Sequence, residues 1–549
     1  DNRRQRQMCI RDSQDFESRI RGGHNFDQVR ISNTPVRAAA GQVHILIALD
    51  EVTTGQDIDC LAENGVLLFD GETIGFKSDN PNHLSVPFTR IAAEAGKSKI
   101  MINAVATGAA TALLDFKLQP VLDCIQEQFE QKGAGMIEKN QKSAAAGYDF
   151  VRQNLKAGPP FRVPSAKAVR RKMLLTGSQA MALGAMASGL KFYSGYPMSP
   201  ATTIMEFVST QADTYNIVLE QAEDEIAAIN MVIGASFAGA RAMTATSGGG
   251  FCLMVEALSL AGMTETPVVI VVAQRPGPST GLPTRTEQAD LNLVMHAGHG
   301  DFPRAILAPG SPEQALSLMS KAFNLADTYQ TPVIVLGDQH FGDAYFTVDE
   351  FDLGGITLDR GHVLTNQDLP SPLEYKRYAP GKSGISPRIL PGQTRAVLYA
   401  DSDEHTEEGH ITESGAVRNQ MMHKRMQKLE GLRREIGPPE IYPDGEAEIV
   451  LLGWGSTHGA LKEAVDSLNQ EGVAARMIHY SELFPFNAGH VSIEELKKSK
   501  IIAVENNYTG QFADLFSQET GISVDQRILR YDGRPFTARD ICDQIKVNK

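Results

Sequence analysis

Several things this chain lacks bound what it does. Its 549 residues hold five cysteines, Cys9, Cys60, Cys124, Cys252 and Cys542, and no two of them form a C-x-x-C pair. That argues against an iron–sulfur cluster or a structural zinc held by this chain alone. It also fits a reducing cytosol better than a disulfide-stapled secreted domain, so a cytoplasmic location is expected. No apolar run reaches the roughly 18 to 20 residues that a membrane span needs, and no membrane association is expected. Positive charge is short too: 52 Lys and Arg face 66 Asp and Glu, a net charge of −14. A nucleic-acid backbone would be repelled, although small anions still find local sites. There is no Walker loop, no H-E-x-x-H and no G-x-S-x-G. GWGSTHG (Gly453–Gly459) lacks the glycine spacing of a dinucleotide fingerprint, and the following strand ends in His479-Tyr480 rather than an acid, which weakens a nicotinamide site.

What is present suits several packed domains. Hydrophobic residues make up 42% and charged residues 21%, an ordinary soluble balance at a length for two to four domains. The opening, DNRRQRQMCIRDS (Asp1–Ser13), resembles translated sequencing-adapter sequence; we expect residues 1–13 to be a non-native tail. From Gln14 a compact α/β domain is expected, with strands at Val43–Asp50, Asn64–Gly71 and Ser98–Val105 and a helix at Val121–Gln131. Lys156-Ala-Gly-Pro-Pro-Phe reads as a linker. A second α/β block follows Arg171. Its strands are expected at Lys191–Ser194, Ala242–Ala245, Pro267–Gln274, Arg304–Leu307 and Pro332–Leu336. Strands alternating with helices imply a parallel sheet covered on both faces. Between Leu353 and Pro443 the pattern weakens, apart from a long helix at Val417–Ile436. A third α/β unit runs from Ala447.

Three segments carry chemistry. FYSGYPMSPATTIMEF (Phe192–Phe207) is a strand, a loop and a helix, and two prolines flank Ser199 and fix its backbone. Ser199 or Thr202 equally serves as a plain helix cap. In QAEDEIAAINMVIGASFAGARAMTATSGGG (Gln221–Gly250), Glu225 opens a helix of small and apolar residues. Burial there desolvates a carboxylate and suits it to proton exchange with a heterocycle, while the simpler reading is a first-turn acid on a helix dipole. Ser247-Gly248-Gly249-Gly250 admits a ligand to the backbone or is a tight turn. Strand PVVIVVAQ ends at Gln274, beside RPGPSTGLPTRTEQADL (Arg275–Leu291). Ligands of parallel sheets bind beyond such ends, and Arg275 and Arg285 each offer a fork for a carboxylate, or are surface arginines.

Taken together these segments resemble the alpha subunit of 2-oxoacid:ferredoxin oxidoreductases, in the form with gamma and alpha parts fused. YPMSP resembles the family's YPITP, with Met198 for Ile and Ser199 for Thr. Glu17–Ser32 resembles the gamma part's RGG region. Arg275–Leu291, Asp401–Glu413, VENNYTGQ (Val504–Gln511) and YDGRPF (Tyr531–Phe536) follow in family order and cover nearly the whole chain beyond Ser13. The family's Gly-rich opening before the RGG region is missing here, so a shortened first domain is expected.

The resemblance implies an α/β protein of several doubly wound parallel-sheet domains. These are a gamma domain at 14–158, a thiamine diphosphate pyrimidine-binding domain at 165–352, a linker and helix at 353–443, and a transketolase C-terminal-like domain at 444–549. It implies coenzyme A-dependent oxidative decarboxylation of a 2-oxoacid, 2-oxoglutarate first, with electrons passed to ferredoxin. Thiamine diphosphate is shared with a beta subunit in a heterotetramer of two alpha and two beta chains. That partner carries magnesium and a 4Fe–4S cluster, because G-D-G…N and cluster cysteines are absent here. Glu225 matches the glutamate that hydrogen-bonds the aminopyrimidine. Arg275 and Ser199 stand at the substrate's reacting end. Thr284, Arg285 and Tyr196 are the further substrate candidates, with Arg285 for a distal carboxylate. Pro197, Ser247, Gly248 and Gly249 are the further cofactor candidates. Pro278-Ser279-Thr280-Gly281 resembles the 2-oxoglutarate group more than the pyruvate or indolepyruvate branches. The rival of another class is a non-catalytic α/β binding or assembly protein.

Overall fold

Runs such as VVIVVAQ and PVIVLGD have no polar face, so a sheet built from them must be covered on both sides. In the computed structural model, which describes residues 9–18, 23–155, 158–163 and 172–547, both runs are buried at every position. They lie at the centre of a seven-stranded sheet. Its order is Glu482–Phe484, Ala305–Leu307, Pro332–Asp338, Val268–Gln274, Ala242–Thr246, Phe192–Gly195 and Val218–Gln221. Every pair in it is parallel except the first. That antiparallel edge belongs to the C-terminal region, whose own five-stranded sheet runs Glu440–Tyr442, Ala475–Tyr480, Ile449–Trp454, Lys500–Glu505 and Gln526–Leu529. One apolar core joins the two sheets: Ile270, Leu336 and Phe251 share it with Trp454, Ile478 and Phe512.

The chain divides into two units, residues 40–169 and residues 8–39 with 170–549. The boundary between residues 39 and 40 falls inside the stretch 14–158. Within the second unit an anchor lies on helix His458–Gln470: the Glu463 carboxylate accepts from Arg30 Nη1 at 2.7 Å and from Arg37 N at 2.8 Å. Of the tail expected at 1–13, residues 1–8 lie outside the described residues. Cys9–Asp15 form a strand between Phe26–Ser32 and Tyr345–Asp349, and Arg11 is buried beside His340, Nη2 to Nε2 2.8 Å.

In the first unit a three-stranded parallel sheet, Val43–Ala48, Leu61–Phe69 and His83–Ser85, is backed by helices. The strand expected at Ser98–Val105 is instead helical, a turn at Lys99–Met101 continuing into Ile102–Leu113. Ser98 caps that turn by accepting from Ile100 N, and the alanines that follow favour helix over strand. This helix crosses Ala134–Asn154 at backbone contact. A Cβ on Gly108 would stand 1.9 Å from Ala144 O, and one on Gly147 2.1 Å from Val105 O. The long helix expected at Val417–Ile436 spans Gly415–Glu435.

Candidate active site

The site forms where strands of the seven-stranded sheet end and helices begin. Beyond Phe192–Gly195 the loop Tyr196–Pro200 leads into helix Thr202–Tyr215. Tyr196 and Ser199 are exposed, and Pro197 and Met198 half-buried. Contacts from Arg275 and Ser247 help to hold the loop. Arg275 Nη1 donates to Ser199 O at 2.6 Å, and Ser247 Oγ donates to Met198 Sδ at 2.7 Å. The Ser199 hydroxyl thus stays with solvent while its carbonyl is bound.

The three acids Glu223, Asp224 and Glu225 separate by position. Asp224 is the cap of helix Glu225–Phe237, its Oδ1 accepting from Ala227 N at 2.7 Å. Glu223 is exposed. Glu225, relieved of capping, is only 3% exposed, and its Oε1 has no hydrogen-bond partner among the described residues. A buried acceptor without a partner is costly, so its presence marks a place where a donor arrives. Beside it helix Gly248–Met263 begins. A Cβ on Gly250 would lie 2.0 Å from Thr246 Oγ1 and 2.6 Å from Glu225 Oε1. Only glycine leaves that space, and Gly249 opens onto nothing within 4 Å. Ser247 is the N-cap residue but makes no side-chain cap, because Met198 takes its hydroxyl. The first-turn amides therefore have no cap from the Ser247 side chain. A hydrogen-bond donor from a ligand would satisfy the one free carboxylate oxygen.

Arg275 leaves the end of strand Val268–Gln274; burial lowers its pKa, opposed by Asp290. The loop it opens is stitched down on its far side. Thr286 N donates to Gly533 O, and Gln288 N to Asn506 O at 2.6 Å. Gln288 Nε2 reaches Trp454 O, and Asn506 N returns a bond to Gln288 Oε1. The motifs at Val504–Gln511 and Tyr531–Phe536 thus converge on one loop, which sequence order alone does not reveal. Thr284 Oγ1 donates to Phe16 O, and Arg285 lies against Gly533. Thr284 thus faces the segment at Phe16 and Arg285 the segment at Tyr531–Phe536, whereas Arg275 faces the serine loop.

Two acids were not singled out from sequence. Asp290 caps no amide of helix Leu291–His296; Gln511 Oε1 accepts from Asn292 N in its place. The freed Asp290 carboxylate lies where a Gly248 Cβ would meet it at 2.5 Å, and its Oδ2 is partnerless among the described residues. Burial pushes its pKa up to about 6, and burial with the Asp290 charge pushes Glu287 up to about 7. The signal available was an E-x-x-D pair in the loop past a strand end.

This arrangement defines the class: an α/β protein with a buried acid and a glycine-rich helix start at the ends of its parallel strands. Comparison with known proteins gives the family. Residues 183–424 match the pyruvate flavodoxin/ferredoxin oxidoreductase, thiamine diphosphate-binding family, and residues 6–150 match the pyruvate ferredoxin/flavodoxin oxidoreductase family. A 2-oxoacid:ferredoxin oxidoreductase subunit alpha from Sulfolobus sp. is 35% identical, over 98% of this chain and 92% of that one. A 2-oxoglutarate synthase subunit of Archaeoglobus fulgidus is 33% identical over 62% of this chain and 88% of its own. The solved structure of the 2-oxoglutarate:ferredoxin oxidoreductase from Magnetococcus marinus, with 2-oxoglutarate, coenzyme A and succinyl-CoA bound, superposes with a TM-score of 0.91. It is 31% identical and covers 99% of this chain and 94% of that one. The chain belongs to the alpha subunits of the 2-oxoacid:ferredoxin oxidoreductases. It is one subunit of an oxidoreductase that works with ferredoxin.

Proposed function

We propose that this chain supplies the pyrimidine side of a thiamine diphosphate site for oxidative decarboxylation of 2-oxoglutarate, with coenzyme A as acyl acceptor. The Magnetococcus relative, bound to 2-oxoglutarate, coenzyme A and succinyl-CoA, supports this reading. So does the partnerless Glu225 Oε1 beside Gly250, the observation that carries it. Thiamine diphosphate, when bound, supplies the electron sink for loss of carbon dioxide. Glu225 holds and exchanges a proton at its Oε1 against the pyrimidine ring. Ser247, Gly248 and Gly249 set the depth at which the ring rests. Arg275 keeps one donor on Ser199 O and offers the rest of its fork to a substrate carboxylate, while the Ser199 hydroxyl stands alongside. Pro197 and Tyr196 shape the loop, and Thr284 and Arg285 form its distal side, Arg285 toward a second carboxylate. The beta subunit contributes magnesium and a 4Fe–4S cluster, in a cytoplasmic complex of two alpha and two beta chains.

The test is reconstitution with the beta subunit and an assay of 2-oxoacid-dependent ferredoxin reduction. Wild-type complex reduces ferredoxin with 2-oxoglutarate and coenzyme A, faster than with pyruvate or indolepyruvate. Glu225→Gln lowers kcat by about 10²-fold or more, the usual worth of a positioned acid or base. Unchanged turnover in Glu225→Gln leaves only a binding role for the chain.

A further inference from the structure

Segment 353–443 is fastened to the seven-stranded-sheet domain by buried ions rather than by strands. Glu265 sits in the turn before strand Val268–Gln274 and is 1% exposed. It accepts from Lys424 Nζ at 2.6 Å and Lys428 Nζ at 2.5 Å, both from helix Gly415–Glu435. Its backbone carbonyl accepts from Arg377 Nη2 at 2.9 Å. Nearby, buried Asp327 meets Arg241, Arg388 and Arg360 at 2.9, 2.6 and 2.8 Å. Glu404 is matched separately by Arg425 and Arg418.

These charges do not balance. Two buried carboxylates serve five buried cations, Arg241, Arg377, Arg388, Lys424 and Lys428, besides the partly exposed Arg360. Burying cations without counter-charge is costly. Burial drives Lys428 down to about 7, so a lysine sheds part of the excess, but a guanidinium does not deprotonate. Both central arginines keep a sealed donor: Arg377 Nη1 and Arg388 Nε have no hydrogen-bond partner among the described residues. Both line the same cavity, about 10 Å³, room for one water-sized particle. The rest of its wall is Phe237, Pro267, Ile389, Leu390 and Leu398 with Thr266 and Glu265, whose carboxylate is already held by Lys424 and Lys428.

We propose that this cavity binds a single small monovalent anion of the chloride class between Arg377 and Arg388, and that the anion completes the docking of segment 353–443. Water fills the volume without supplying charge. A weakly hydrated sphere also tolerates the apolar part of the wall.

The test compares full-length chain in sodium chloride, sodium bromide and sodium gluconate at equal ionic strength. Chloride and bromide raise the melting temperature by roughly 2–4 °C over gluconate, with saturation at rising concentration. Crystals grown in bromide show an anomalous peak in the cavity. Arg377→Gln melts at the same temperature in all three salts, whatever its own stability. A melting temperature indifferent to the anion, a linear salt effect shared by Arg377→Gln, or a cavity without an anomalous peak each overturns the proposal. The wild-type measurements decide the matter even if the variant does not fold.

Discussion

At the residue scale, adjacent acids do different work because one of them takes the capping role. Asp224 spends its carboxylate on Ala227 N, so Glu225 is free to be buried with an open oxygen. The helix of small residues after Glu225 was readable as buried, and the identity of the acid followed from the family pattern. That Gly250 has no room for a side chain was not readable, because the clash involves Thr246 and Glu225 from other elements. Gly250→Ala should therefore displace the Thr246 hydroxyl or the Glu225 carboxylate: reconstituted complex loses at least about tenfold in apparent cofactor affinity, a factor that corresponds to about 1.4 kcal/mol. Activity titrated with thiamine diphosphate checks it.

Asp290 gives the opposite kind of prediction. Its folded pKa, about 6, lies above the ordinary carboxylate value. Between those pH values the folded chain binds the extra proton, so stability falls as pH rises through the window and stays reduced above it. Asp290→Asn should stabilise the isolated chain by about 1–3 kcal/mol at pH 8, and the gain should vanish near pH 4. Thermal melts across that range check the sign, and a gain that grows toward acid pH would contradict it. The sequence hid this residue because Asp at a helix start reads as a cap, and only the reach of Gln511 shows that it is not one.

Among elements, strands were legible where they are buried on both faces, as at Val268–Gln274 and Pro332–Asp338. Legibility failed at Ser98–Val105, where a short apolar run looks alike as strand or helix. It failed again in helix Gly415–Glu435, whose polar sequence promises solvent while Lys424 and Lys428 are buried. Their partner, Glu265, is distant in sequence, so no local pattern announces the burial. Gly147→Val should pry helices Ile102–Leu113 and Ala134–Asn154 apart, because the Val105 carbonyl has nowhere to go. The expected cost is on the order of 3 kcal/mol. Hydrogen exchange should then rise across residues 99–154, while the strands of the seven-stranded sheet keep their protection.

For the whole molecule, the seam between expected domains is the hardest thing to read. The irregular stretch at 353–443 suggests two domains joined by a linker. Arg30 and Arg37 reach Glu463 on helix His458–Gln470, and the two larger sheets share one core. No composition shift marks either feature, since Trp454 and Ile478 look like any buried residue of their own sheet.

The edge strand Glu482–Phe484 on the larger sheet has a practical consequence for anyone dividing the gene. Cutting the chain after Pro443 would strip a strand from one fragment and bare the aromatic cluster of Tyr480, Phe486 and Phe512 on the other. Expressed singly, both pieces should go to inclusion bodies. Produced together in one cell, they should find each other and co-purify as a nicked but folded subunit.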